Sequence, residues 1–186
     1  MQTISAFDIR VALSTGSRST LESLGGSTLT SFKVLSGIDA GNSDLGMESH
    51  ALTLQTDRGQ VSFEADPCTA LNGFDVPNLV VASGVPQGNY EEGNVTEVSF
   101  EGVIGLVAVI WQSDAFAGPE MLGVQPTSII YPATFVVGVG SRMLIISAAD
   151  DMSRICVSTA ADFVARNRAR VQSMEVIWSF ATIVER

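Results

Sequence analysis

Apolar and polar residues alternate with period two along most of this chain. The clearest case runs from Ala51 to Asp66: Leu52 and Leu54 are separated by Thr53, Asp57-Arg58-Gly59 interrupts, and Val61 and Phe63 resume. Alternation on both sides of a turn with glycine in a left-handed position predicts a β-hairpin. A second segment, Phe135 to Asp150, has the same character. Setting Arg58 on Arg142 also sets Val61 on Ile145, Ala65 on Ala149 and Asp66 on Asp150. Upstream of each hairpin lies a further apolar stretch, 27–38 ending in Asp39-Ala40 and 102–113 ending in Asp114-Ala115. The second half holds an insertion in Phe116–Pro126, where Gly and Pro mark a surface loop; its counterpart is 41–48. The chain reads as one compact domain, 1–186, with two related β-rich halves. These span about 1–84 and 94–186 and are joined by a Gly/Pro/Glu loop, 84–93.

The remaining elements follow from local signals. Residues 5–13 fit both a strand and a capped helix. Ser19-Thr-Leu-Glu22 is a capping box and Gly25-Gly26 a stop, so a short helix is expected over 19–24. Residues 76–84 read as an edge strand and Val95–Phe100 as another strand. Ser158-Thr159, with Asp162 behind it, opens a second helix that ends among Arg166, Arg168 and Arg170, and a final strand covers 174–184. Hairpin turns without alternating long helices make the expected fold mainly β (β-rich α+β). It is expected to hold two pseudo-repeated antiparallel strand–loop–hairpin units and one or two short helices.

Composition narrows the function classes. Hydrophobic residues are 46% of the chain and charged ones 16%, which provides for a core and excludes general disorder. Net charge is −10, from 20 acids against 10 bases. Such a surface repels phosphate backbones and anionic membranes, so nucleic-acid binding is not expected. The asymmetry is internal too: residues 1–153 carry 17 acids and 5 bases, whereas 154–186 carry 3 acids and 5 bases. Neither a signal peptide nor a membrane-spanning helix is expected, so the reading is cytoplasmic, and the Asn94-Val-Thr96 sequon is a chance match. Cys68 and Cys156 are expected as free thiols.

Catalytic motifs are missing. The lone histidine, His50, excludes a two-histidine metal site and has no nucleophile elbow to serve. Gly138-Val-Gly140 lacks the third glycine of a dinucleotide loop and is read as a bend between strands. Glu64, Asp66 and Asp150-Asp151 sit where the chain leaves the hairpins, as solvated acids. No cofactor or metal is expected. The sequence points to a non-enzymatic acidic protein of the inhibitor or immunity type, neutralising a basic protein partner such as a bacterial toxin. Asp39, Asp44, Glu48, Glu91 and Glu92 are the expected contact charges, and homodimerisation is compatible with this. The alternative is a virion or tail component that self-assembles through apolar loops such as 116–126.

Overall fold

The computed structural model describes residues 7–35, 47–66, 68–69, 75–76, 78–86, 95–115, 126–148, 155–158 and 171–180. Strand β1 (Phe7–Arg10) leads into helix α1 (Thr15–Leu24) and then β2 (Thr28–Leu35). Next come β3 (Met47–Ser49), β4 (Ala51–Thr56), β5 (Gly59–Ala65), the short pair β6 (Cys68–Thr69) and β7 (Asp75–Val76), and β8 (Leu79–Ser83). The second half contains β9 (Val95–Ala115), β10 (Pro126–Val139), β11 (Arg142–Ala148), β12 (Ile155–Ser158) and β13 (Val171–Ser179). The fold is mainly β, as expected. Among the described residues the pairings are antiparallel with one exception: β1 lies parallel to β10.

Strand β9 is the backbone of the architecture. Its 21 residues would reach about 70 Å if straight, against about 40 Å for the diameter of a compact chain of this length. It therefore has to bend. Its first part pairs with β2, from Val95↔Leu35 to Val103↔Thr28, and its second part with β10, from Ile104↔Val139 to Ala115↔Ser128. The bend falls between, where the register shifts opposite Leu29/Ser31 and again opposite Gly138/Val139. Gly102 sits there at φ 147°, and a Cβ on it would meet Val139 Cγ1 at 2.7 Å. Each bulge adds a residue and re-aims the strand, so β9 leaves one sheet and enters another.

The second corner is covalent. Strand β3 pairs with β12, whereas β4, one residue later through His50, pairs with β2 and β5. Ser49 donates its hydroxyl to the Leu35 carbonyl, and the His50 N–H donates to the same carbonyl at 3.3 Å. The circuit β9–β10–β11–β12–β3/β4–β2–β9 thus closes, by strand pairing at every step except β3 to β4, which the chain makes through His50. Strands β5 and β8 extend it beyond β4, and β13 extends it beyond β9. Inside lies one core, with Phe32, Leu52, Leu54 and Phe63 from one side meeting Phe135, Leu144 and Ile146 from the other. The Phe63 and Phe135 rings stand 5.8 Å apart.

Helix α1 lies where the extensions end, packed against β8, β13 and β9. Leu21 and Leu24 enter the core, and Ser17 Oγ accepts the Val81 N–H of edge strand β8 at 3.3 Å. The helix begins four residues before the expected start. Ser14, not Ser19, is the N-cap, its side chain accepting the Ser17 N–H at 3.0 Å. The segment holds several hydroxyl residues able to cap, and burial of Leu21 and Leu24 together selects the longer helix. The stop at Gly25-Gly26 is as expected. Gly26 has φ 71°, and a Cβ on Gly25 would sit 2.1 Å from the Trp178 ring.

Other expectations carry over unevenly. The first hairpin turns at Asp57-Arg58 and β8 is an edge strand, as read from the sequence. Residues 5–13 resolve to strand at Phe7–Arg10, and Val95–Phe100 and 102–113 prove to be one strand. The internal echo does not hold in its expected register. Turn residues Thr56↔Gly59 correspond to Val139↔Arg142, so Arg142 takes the place of Gly59 and not of Arg58. A one-residue slip in a strand inverts its faces. Val61 lies in the main core with Leu144 and Ile146, while its aligned partner Ile145 does not. The expected tail helix and the loops 41–46 and 116–125 lie outside the described residues.

Replacing Gly102 by alanine forces a side chain into left-handed backbone against Val139. The expected loss is about 1–3 kcal/mol of unfolding free energy, read from urea denaturation followed by tryptophan fluorescence. An unchanged midpoint would show that the bend does not rest on this glycine.

Candidate interaction surface

The described bases contact their own chain, although Arg10, Arg58 and Arg142 remain exposed. Arg10 lies over the Trp111 ring at 4.3 Å, and Arg142 over Phe100 at 4.1 Å while donating to the Glu101 carbonyl at 2.8 Å. Arg58 reaches from the β4–β5 turn to the end of α1, donating to the Ser23, Gly25 and Gly26 carbonyls at 3.2–3.4 Å. That placement supplies the cation which α1 lacks in its own last turn. Only Arg18 and Lys33 meet carboxylates: Arg18 bonds Glu175 at 2.6 Å, and Lys33 stands 3.9 Å from Glu97.

Glu175 is the centre of a small network at one end of the barrel. Its Oε1 accepts from Arg18 of α1 and its Oε2 from Trp111 Nε1 of β9 at 3.1 Å, with Arg10 of β1 stacked on the same indole. The Arg18 hydrogen bond holds the Glu175 carboxyl below the usual carboxylate value; Trp111 and Arg10 act in the same direction, and partial burial opposes them. Three distant parts of the chain, β1–α1, β9 and β13, meet at this carboxylate. No local spacing signals it, because Arg18 and Glu175 lie 157 residues apart.

Acids elsewhere are held by hydroxyl and backbone donors. Asp57 accepts the Thr28 N–H at 2.8 Å, Asp8 the Ser128 hydroxyl at 2.6 Å, and Asp114 the Tyr131 hydroxyl at 2.6 Å. Glu97 accepts the Ser31 hydroxyl at 2.6 Å besides facing Lys33. Hydroxyl and amide donors do not neutralise the carboxylates they hold.

One surface departs from this pattern. On the side of β9, β10, β11 and β13 away from the main core, Ala108, Ile110 and Val136 form a small buried cluster, with Leu106 and Val171 against them, and three apolar residues beside it are left exposed. Met174 is 59% exposed, Val176 47% and Met143 45%. Register places Met174 beside Ile110, Val176 beside Ala108 and Met143 beside Gly138. None of these side chains is charged. Exposed apolar residues gathered on one sheet face mark a contact surface more often than scattered ones do.

Of the expected contact acids, Asp39, Asp44, Glu91 and Glu92 lie outside the described residues. Glu48 falls in β3 opposite Cys156, with its side chain outside the description. Glu64 projects from β5 beside Ala51 and Val80, and Asp66 follows it, exposed, its N–H bonded to the Asn78 carbonyl at 3.1 Å. They do not gather with a third ligand: among the described residues no group of three or more His, Cys, Asp or Glu could hold a metal ion. His50 is exposed at the β3–β4 corner. Gly138 and Gly140 serve the β10–β11 hairpin, one at a register shift and one in the turn at φ 59°, as the bend reading expected. No helix among the described residues is long and apolar enough to cross a membrane. Comparison with protein-family models, with curated proteins and with solved structures finds no match to this chain.

The Glu175 network carries a pH signature. Because its folded pKa is depressed, its contribution is complete above the unfolded value and is lost as pH falls through the folded one. Arg18 and Glu175 are 40% and 35% exposed, so the contribution is at most about 1 kcal/mol. Urea denaturation of Glu175→Gln should therefore show a smaller acid-induced loss than the native chain by that amount. Equal pH dependence would mean that the ion pair adds nothing to folding.

Proposed function

We propose that this protein acts by docking to a basic protein partner, as a non-enzymatic binding module of the inhibitor or immunity type. The observation that carries the reading is the use of the bases. Arg10 and Arg142 cover aromatic rings, Arg58 caps a helix, and only two described bases reach carboxylates. With 20 acids in the chain, the outward field is negative, and such a field accelerates encounter with a cationic partner. The uncharged face around Met143, Met174 and Val176 supplies what charge does not, an apolar patch that excludes water at the centre of a contact. Asp39, Asp44, Glu48, Glu91 and Glu92 are the acids proposed as the contact charges.

A second reading, a self-assembling shell or tail component, is favoured by the same uncharged face. Multi-angle light scattering separates the two: a monomer or dimer supports the docking module, and a large closed or tubular assembly supports the second reading.

The charge assignment is tested by affinity capture from cells at low and high salt, with mass spectrometry of the bound proteins. The native chain should retain a strongly basic protein at low salt, and Glu91→Lys/Glu92→Lys should lose most of it. The native complex should weaken by roughly tenfold or more between 50 and 200 mM salt if several exposed pairs form. Retention of the same proteins by the reversed variant would remove these two acids from the interface.

A further inference from the structure

We propose that β1 and α1, residues 7–24, form a latch that opens as a unit while the strand barrel stays closed, uncovering the edge of β8. Three observations carry it, none of which depends on the docking reading.

First, the closed circuit β9–β10–β11–β12–β3/β4–β2 contains neither element. Lifting the latch breaks no pairing within that ring. Strand β1 is an addition to the flank of β10, the one parallel pairing in the sheets, and its Ile9 packs in a separate apolar cluster with Ile129, Tyr131 and Ala133. Second, α1 is weak by composition. Thr15-Gly-Ser-Arg-Ser-Thr-Leu-Glu-Ser-Leu24 is mostly glycine and hydroxyl residues, poor helix formers that depend on tertiary contacts. Those contacts are Leu21 and Leu24 in the core and a set of polar fasteners: Arg18 to Glu175, Arg58 to the last carbonyls, and Ser17 to Val81. Third, the latch ends at two glycines. Gly26 holds φ 71° and joins α1 to β2 beside the barrel strand β9, where its N–H bonds the Ile104 carbonyl at 3.0 Å.

Opening has a defined consequence. The Val81 N–H of β8 loses Ser17, so that strand edge is bared, and β13 loses the helix that packs on it. A bared edge is a template for another strand. The latch thus gates the barrel's capacity to add strands.

Native-state hydrogen exchange with peptide-level mass spectrometry tests this on the full chain. Amides of 15–24 should exchange at least about tenfold faster than those of β9 and β10, with little dependence on low urea, as for sub-global opening. Arg18→Ala should speed the 15–24 amides by a further roughly three- to fivefold, the effect of a half-exposed ion pair, and leave β9 and β10 unchanged. Glu175→Gln, which keeps the side-chain volume, should do the same. Exchange of 15–24 at the rate and urea dependence of β9 would overturn the proposal, as would a uniform acceleration of every segment in both variants.

Discussion

The bend in β9 is the constraint on which the remaining architecture depends. A strand too long for the domain has to turn a corner, and once it does, it belongs to two sheets at once. Everything paired to its first part then faces everything paired to its second, which brings Phe63 of β5 within 5.8 Å of Phe135 of β10. The bulges on either side of the corner also set which residues face inward. After the shift near Gly138, Val139 opposes Ile104 and both lie in the core. Without the extra residues at the corner, one of the two sheets would turn its polar side inward. A second irregularity at Pro132/Thr134 has a local cost: Thr134 Oγ1 is buried without a hydrogen-bond partner.

Closure of the strand circuit explains why α1 can be so polar. In a two-sheet stack the elements covering the open side are usually a main source of burial. Here the ring buries its own core, and the helix contributes chiefly Leu21 and Leu24, each worth about 1.5–3 kcal/mol when fully buried. Polar contacts from three different strands hold it in place: Arg58 from the β4–β5 turn, Glu175 from β13 and Val81 from β8. The glycines flanking it answer a packing demand as well as a conformational one, because Trp178 lies against Gly25 with no room for a side chain.

Much of the fold was legible because period-two alternation reports directly on strands with one buried face. Leu52/Leu54 and Val61/Phe63 showed the hairpin and its inward side, and Asp57-Arg58-Gly59 showed its turn. What alternation does not carry is the partner of each strand. Nothing in Val95–Phe100 and 102–113 separately announces that they form one bent strand, since the glycine between them reads equally as a break. The echo between the two hairpins failed for a related reason. It was fixed on the arginines, which sit one residue apart relative to their turns and do different work, Arg58 capping α1 and Arg142 covering Phe100. The Glu175 network was illegible altogether, because its members come from three widely separated parts of the chain. The parallel addition of β1 was hidden in a segment that also carried a helix-capping pattern.

Magnitudes favour an oppositely charged partner over a second copy at the uncharged face. Two chains of net charge −10 with centres about 40 Å apart repel by about 10 kcal/mol in pure water. At physiological salt most of this is screened, because the Debye length is about 8 Å. Screening removes the penalty and provides no attraction. The remaining gain from self-contact comes from Met143, Met174 and Val176, each about half exposed. At roughly 1 kcal/mol apiece, the six side chains of a symmetric pair give about 6 kcal/mol, inside the range of about 4–15 kcal/mol that association itself costs. A basic partner would meet no such repulsion and would gain the attraction of a net charge of −10 besides whatever the apolar contact contributes.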